Sequence, residues 1–265
     1  MSGPTLYVYA IVPTAGVPEN PGRGVDGSPV IAVDGGHGAS ALAHRHDETP
    51  YEGPDDEVRR WIVEHSDVVD RSWQAAGTAL PVSFNVIVSP SETQTADEVL
   101  RSWLSDSAEI LGAKLEALQG RVELRIEITV DSAEVSDDAD EVRRLIADMD
   151  AKPAGVQRLY QKKLDKLRRD VADRMADDLY PEIRQRILAF SEDLSENRQS
   201  RAVPGTVPVL NVSVLVRSDD VAGLGVELAD IRDSHPGVAI SFIGPWPPYS
   251  FADLPSMAPS ESAEA

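Results

Sequence analysis

Histidine spacing comes nearest to chemistry in this chain. His44-Arg45-His46-Asp47 places two imidazoles at alternate positions. On a strand, alternate residues share a face, so this pair could face one metal ion. No third or fourth ligand follows at a recognisable spacing. The chain has no cysteine, which removes thiolate metal sites, disulfides and a thiol nucleophile. Gly35-Gly36-His37-Gly38 has the composition of a phosphate loop, but no strong helix follows to supply the N-terminus such a loop needs. The patterns GxSxG, GxxxxGK(S/T) and HExxH do not occur. With 45 acidic residues, carboxylate pairs are expected on any solvated face and give no catalytic signal. Asn211-Val212-Ser213 matches a glycosylation acceptor but falls in an apolar strand pattern. The expectation is no catalytic residue, no metal site and no cofactor.

A second group of residues points to contact rather than catalysis. Val238–Phe251 reads VAISFIGPWPPYSF. Val238, Ile240, Phe242 and Gly244 alternate with Ala239, Ser241 and Ile243, a strand pattern that the prolines then stop. Proline has no N–H to donate, so Pro245, Pro247 and Pro248 predict a stiff, extended exit from a sheet. Only 5% of the chain is aromatic, yet Trp246, Tyr249 and Phe251 crowd onto this segment. Two compatible readings follow. The rings plug the core of the last domain, or they form a docking surface, since Trp and Tyr give large contact areas at low entropic cost. Pro245, Trp246, Pro247, Pro248, Tyr249 and Phe251 are therefore the expected partner-binding or domain-bracing residues.

The elements that must carry these residues can be read from periodicity. Thr5–Pro13 is apolar on both faces, with Leu6, Val8, Ala10 and Val12 on one and Tyr7, Tyr9 and Ile11 on the other, which predicts a central strand. Short strands are predicted at Val30–Val33 and Ser40–Arg45. A helix is predicted over Asp55–Trp73, with Val58, Ile62, Val69 and Trp73 inward. Leu80–Val88 reads as one strand, and a long helix is predicted from Thr93 or Thr95 to Leu118, ended by Gly120. Arg121–Asp131 alternates cleanly, and a one-residue slip would bury Arg121, Glu123, Arg125 and Glu127. That order predicts an elaborated ferredoxin-like α+β sandwich over residues 1–131, with helices on one face of an antiparallel sheet.

An acidic linker is expected at 132–141, and a second α+β domain, built on long helices and a small sheet, at 142–252. Its helical pattern runs from Ala154 to about Arg198. Pro181 is predicted to bend or divide it at Asp178–Pro181, because a proline inside an unbroken helix costs roughly 3 kcal/mol. A strand at Val207–Arg217 and a helix at Ser218–Ser234 complete the unit. Residues 253–265, rich in Pro, Ser, Ala and Glu, predict a disordered tail.

Composition bounds the setting. The 265 residues suffice for two domains, and a 42% hydrophobic fraction supplies their cores. There is no 18-residue apolar run, and the N-terminal segment lacks the basic region of a signal peptide. The net charge is -20, from 25 basic and 45 acidic residues. Only Lys114, Lys152, Lys162, Lys163 and Lys166 are lysines. Such an acidic, arginine-over-lysine chain fits a high-salt cytoplasm and argues against a nucleic-acid partner, which needs clustered cations.

Five segments together resemble the gas vesicle protein F/L family (GvpF and GvpL). They are Leu6–Val12 (LYVYAIV), Leu80–Phe84 (LPVSF), Leu118–Leu124 (LQGRVEL), Gly155–Lys163, and above all Gly244–Phe251 (GPWPPYSF). The chain departs from the family pattern at Ser83-Phe84-Asn85 and Leu159–Gln161. The resemblance implies a haloarchaeal member of the L type: a cytoplasmic, gas-vesicle-associated, non-enzymatic accessory protein. It implies binding to the small hydrophobic shell protein GvpA and to other accessory proteins, limiting aggregation and aiding nucleation of the vesicle. The alternatives are a minor structural component of the vesicle wall and a small-molecule-binding ferredoxin-like module.

Overall fold

The structure, a computed structural model, describes residues 4–47, 49–137, 139–197 and 203–257. The chain divides into two compact units, Met1–Val122 with Trp246–Ala265, and Glu123–Pro245. The α+β class and the two-unit organisation agree with the sequence reading, but the boundaries fall elsewhere than 131 and 252.

In the first unit, β1 (Thr5–Pro13) is the central strand and is buried along both faces. β2 (Ile31–Asp34) and β3 (Ala39–His46) form a hairpin, and β3 pairs antiparallel with β1. α1 (Asp55–Ala76) then leads to β4 (Leu80–Pro81) and β5 (Ile87–Val88), both antiparallel to β1. The strand order is β2-β3-β1-β4. β3 and β4 each oppose β1, so they run parallel to one another with β1 between them and α1 as their connection. That is the split βαβ unit of a ferredoxin-like sheet. Where the simple motif has a helix between β1 and β2, this chain has a Gly- and Pro-rich loop with short 3-10 turns at Thr14–Gly16 and Val25–Gly27.

Several local expectations change. First, β1 carries a bulge: its register with β3 slips between Val8 and Ala10, so Ala10 and Val12 join Tyr7 and Tyr9 in one core cluster. A bulge inserts a residue and inverts the alternation beyond it. Second, the strand expected over Leu80–Val88 is two short pieces. Asn85 sits between them at φ 68, and its side chain accepts from the Tyr51 amide (2.9 Å) and donates to the Tyr51 carbonyl (3.2 Å). Asparagine tolerates the left-handed region, and here its amide takes the place of a strand neighbour. Third, the long helix is two, α2 (Ala96–Asp106) and α3 (Ala108–Ala117), broken at Ser107; Thr95 and Glu98 form a capping box on α2. Fourth, helices cover both faces of β1 rather than one. Trp61, Val68 and Val69 of α1 pack on the face with Tyr7 and Tyr9, while α2 and α3 lie against β1 and β3 without joining that cluster. On α1, Ile62 is exposed, and His65 and Val68 take the inward positions.

The second unit holds β6 (Arg121–Asp131), α4 (Asp140–Asp150), α5 (Ala154–Leu188), β7 (Asp193–Glu196), β8 (Thr206–Arg217), α6 (Val221–Ser234) and β9 (Val238–Trp246). Its sheet order is β7-β8-β6-β9, with β7 antiparallel to β8. β6, placed by its sequence order in the first domain, is therefore an interior strand of the second sheet. Its alternation is as expected, with Val122, Leu124, Ile126, Ile128 and Val130 buried. Alternation fixes which face is buried, not which sheet receives the strand. The expected acidic linker is part of this unit too: Asp131 Oδ1 accepts from the amides of Ala133 and Glu134, Ser132 Oγ donates to Gly205 O (2.8 Å), and Ser136 is fully buried.

α5 runs through Pro181 as one helix and stops at Leu188, short of the expected Arg198; β7 follows it, and Arg198 lies outside the described residues. Pro181 is exposed, so its ring meets solvent rather than a packed neighbour. At the end of the unit the β9 ladder passes Gly244 and includes Pro245 and Trp246, which the prolines were expected to prevent. β9 is an edge strand, where a missing N–H costs no ladder bond. Of the expected tail, residues 253–257 are described and residues 258–265 are not. No helix among the described residues is long and apolar enough to cross a membrane.

Candidate partner-binding surface

The proline segment begins in the second unit. Gly244 has φ +124, and a Cβ on it would stand 2.8 Å from Glu123 O and 2.9 Å from Leu124 Cδ2. Only glycine fits this close approach to β6. The Gly244–Pro245 peptide is cis. On β9, Phe242 and Ile243 are 37% and 48% exposed, large apolar side chains on an edge strand that carries no charge.

The rest of the segment belongs to the first unit. Pro247 and Pro248 are buried, and so is Ala252. Pro247 O accepts from the Tyr249 amide (2.8 Å) and Pro248 O from the Phe251 amide (3.2 Å), closing a 3-10 turn over Tyr249–Phe251. The prolines are thus the anchor and the rings are only partly covered. Trp246 is 38% exposed, Tyr249 41% exposed, and Phe251 half-buried. The rings of Trp246 and Tyr249 do not plug the core of the last domain; in the first unit, the buried members of the segment are its prolines, Pro247 and Pro248. Beyond it, Trp103 Nε1 on α2 donates to Ser256 O (3.0 Å).

The first unit also holds a buried polar-aromatic cluster that sequence reasoning did not assemble. The β1–β3 register sets Tyr7 opposite His44. Tyr9 Oη lies 2.7 Å from His44 Nδ1 and also accepts from the Val25 amide (2.9 Å). Tyr9 Oη thus bridges the Val25 amide and the His44 ring, whose Nε2 lies 3.2 Å from Tyr51 Oη. Burial pushes the Tyr9 and Tyr7 hydroxyls well above their ordinary range, and the neighbouring phenols of Tyr51 and Tyr249 add to the effect on Tyr7. Burial also raises Tyr51, to about 12. The signal available in the sequence was the alternation itself, Tyr7 and Tyr9 on one predicted strand and His44 and His46 on another, without the register that pairs them.

His44 and His46 do share a face, with ring centroids 5.5 Å apart. Their nitrogens are engaged elsewhere, His46 Nε2 with Thr49 O at 2.7 Å. Among the described residues no group of three or more His, Asp or Glu is placed to hold a metal. A groove of about 660 Å³ beside α2 is lined by Ile87, Pro90, Val99, Trp103 and Met257 together with several hydroxyls. One of these, Ser91 Oγ, is already bonded to the amides of Thr93 and Gln94.

The fold class is a two-unit α+β protein that carries exposed Trp246 and Tyr249 on a proline segment. The chain matches the family described as "Gas vesicle synthesis protein GvpL/GvpF" over residues 5–253, and it belongs to that family. Gas vesicle protein L1 of Halobacterium salinarum is 31% identical over 259 residues, covering 93% of this chain and 89% of the relative. Gas vesicle protein L of Haloferax mediterranei is 26% identical over 239 residues, covering 86% and 72%. The crystal structure of the gas vesicle protein GvpF from Anabaena sp. PCC7120 superposes with a TM-score of 0.67 at 19% identity, covering 96% of this chain and 98% of that one. GvpF from Microcystis aeruginosa gives 0.64, also at 19% identity, covering 94% and 99%. These two likenesses show the fold. The family is one of gas vesicle formation rather than an enzyme class, and membership in it implies interaction with gas vesicle components.

Proposed function

We propose that this protein is a non-enzymatic accessory factor of gas vesicle assembly. It binds the small hydrophobic shell protein GvpA and other accessory proteins in the cytoplasm, limits aggregation of the shell protein, and helps nucleate the vesicle. The observation that carries this reading is the strap: Pro247 and Pro248 are buried while Trp246 and Tyr249 remain more than a third exposed. Rigid rings on an anchored backbone lose little entropy on binding and supply the aromatic contacts that dominate interfaces. A shell subunit destined for a water-excluding wall exposes strand edges and apolar faces before it assembles, and such edges template aggregation. A chain of net charge -20 would keep a bound subunit dispersed.

Co-expression with the shell protein in high salt, followed by pull-down on this chain, tests the proposal. Soluble, co-purifying shell protein is the expected result. Equal aggregation with and without this chain would end the direct-binding reading. Recovery of the chain at fixed stoichiometry in washed vesicles would make it a wall component instead.

A further inference from the structure

The edges of the two sheets are protected unequally. An edge strand carries unpaired N–H and C=O groups, and proteins blunt such edges with short length, charge and proline. In the first sheet, β2 has 4 residues and ends in Asp34, while β4 and β5 have 2 each and β4 holds Pro81. In the second sheet, β7 has 4 residues and carries Asp193 and Glu196. β9 lacks these devices over most of its length. It has 9 residues, and from Val238 to Gly244 it holds neither a charge nor a proline, in a chain that is 26% charged. One side of β9 pairs with β6, and the other meets no strand among the described residues. Both faces of this stretch are apolar, with Val238, Ile240 and Phe242 alternating with Ala239, Ser241 and Ile243. Val238 is buried and Ile240 half-buried, which fastens the strand to its unit, while Phe242 and Ile243 are more than a third exposed.

We propose, resting on the assembly role stated above, that the free edge of β9 takes an extended apolar segment of the shell protein as an added strand. The backbone sets the shape of the occupant. A helix bonds its own amides and would leave the β9 row unpaired, whereas an extended segment pairs with it. Pro245 closes the row, so the addition covers Val238–Gly244, about 20 Å of strand. The side chains set the chemistry of the occupant. Apolar groups on both faces offer no ion to a charged segment, which would lose hydration without compensation. An uncharged segment gains by covering Phe242 and Ile243. A shell subunit bound for a water-excluding wall supplies such a segment. β9 ends at Trp246, so the added strand would continue along the same strand the contact proposed for that ring.

The test uses the full chain, alone and co-expressed with the shell protein. Hydrogen exchange over residues 239–244 should slow at least about tenfold in the complex, because strand addition bonds the free amides of the edge. Ile243→Lys and Ser241→Lys place on β9, at exposed positions, the kind of charge that protects an edge. Each should weaken capture of the shell protein about tenfold or more. Val226→Lys makes the same change at a 72% exposed site on α6 and should capture like the parent. Capture by the β9 lysine variants equal to the parent's, or a complex in which exchange over 239–244 is unchanged, overturns the proposal. So does a parent dimer in sedimentation that Ile243→Lys loses, which would assign the edge to a second copy of this chain. A parent that captures no shell protein ends the assembly reading together with this one, whereas capture that survives in the lysine variants ends this one alone.

Discussion

Tyr7 Oη lies 2.8 Å from His65 Nδ1, deep in the first unit, and that contact fixes the proton positions around it. His65 Nε2 faces Val82 O at 3.0 Å, and a carbonyl can only accept. The ring proton therefore sits on Nε2, Nδ1 accepts from Tyr7, and Tyr7 accepts in turn from the Asn85 amide (3.3 Å). His44 is bonded at both ring nitrogens as well, to Tyr9 Oη and Tyr51 Oη. A second proton on His65 Nδ1 would require Tyr7 to give up its donation there and accept instead.

Stability should accordingly fall with acid in a definite window. Burial is the main cause that pushes His44 and His65 from 6.5 down to about 4; His46 lowers His44 further, while Asp26 opposes the shift. Between those values the unfolded chain binds protons that the folded chain refuses. The contribution is complete above about pH 6.5 and is lost as pH falls toward 4, by at most roughly 1.4 kcal/mol per pH unit for each histidine. Melting temperatures of the parent and of His65→Gln, measured from pH 7.5 to 4.5, should converge as pH drops. Parallel curves would mean that His65 titrates normally in the folded state.

Gly244→Ala should destabilise the second unit. The residue sits at φ +124, and the added methyl would press on the β6 backbone at Glu123. Holding a non-glycine residue in such a region costs about 1–3 kcal/mol before any clash is counted. Denaturant unfolding reads the effect directly, and a change under about 0.5 kcal/mol would show that β9 can shift away from β6 at this point.

Pro181→Ala should do the opposite. Pro181 lies inside α5 with its ring exposed, and its missing N–H leaves the Asp177 carbonyl without a helical donor. Restoring that bond should stabilise the helix by up to roughly 3 kcal/mol. Slower amide exchange around Ile183 and Ile187 would register the gain. Unchanged exchange would mean that the buried packing of those two side chains already holds the last turns in place.

What the sequence made legible follows from which interactions are local. The strand at Thr5–Pro13, a threonine cap at Thr93 or Thr95 and the stop at Gly120 were readable because periodicity and capping act within a few residues. The membership of β6 was not, since Val122, Leu124, Ile126 and Ile128 need an apolar partner face and do not name it. Nor was the Tyr7–His44 pairing, which depends on a register between strands more than thirty residues apart and on a bulge at Tyr9. Pro245 was misread for a related reason. Its effect on a ladder depends on whether β9 lies at the edge of a sheet, which is a property of the topology.

The strap yields the prediction most closely tied to function. Pro247 and Pro248 are buried and Trp246 and Tyr249 are not, so truncating a proline and truncating a ring should have different consequences. Trp246→Ala and Tyr249→Ala remove side chains that are more than a third exposed, and each should lower the melting temperature by only a few degrees. If the rings meet the shell protein, each should also weaken its capture about tenfold or more, the range of an aromatic hot spot. Pro247→Ala and Pro248→Ala should instead lower stability through lost burial and a looser chain. Loss of capture at preserved stability in the ring variants supports direct contact. A large fall in melting temperature for Trp246→Ala, with capture unchanged once the protein is folded, would make the indole a core residue and move the shell-protein contact to another surface.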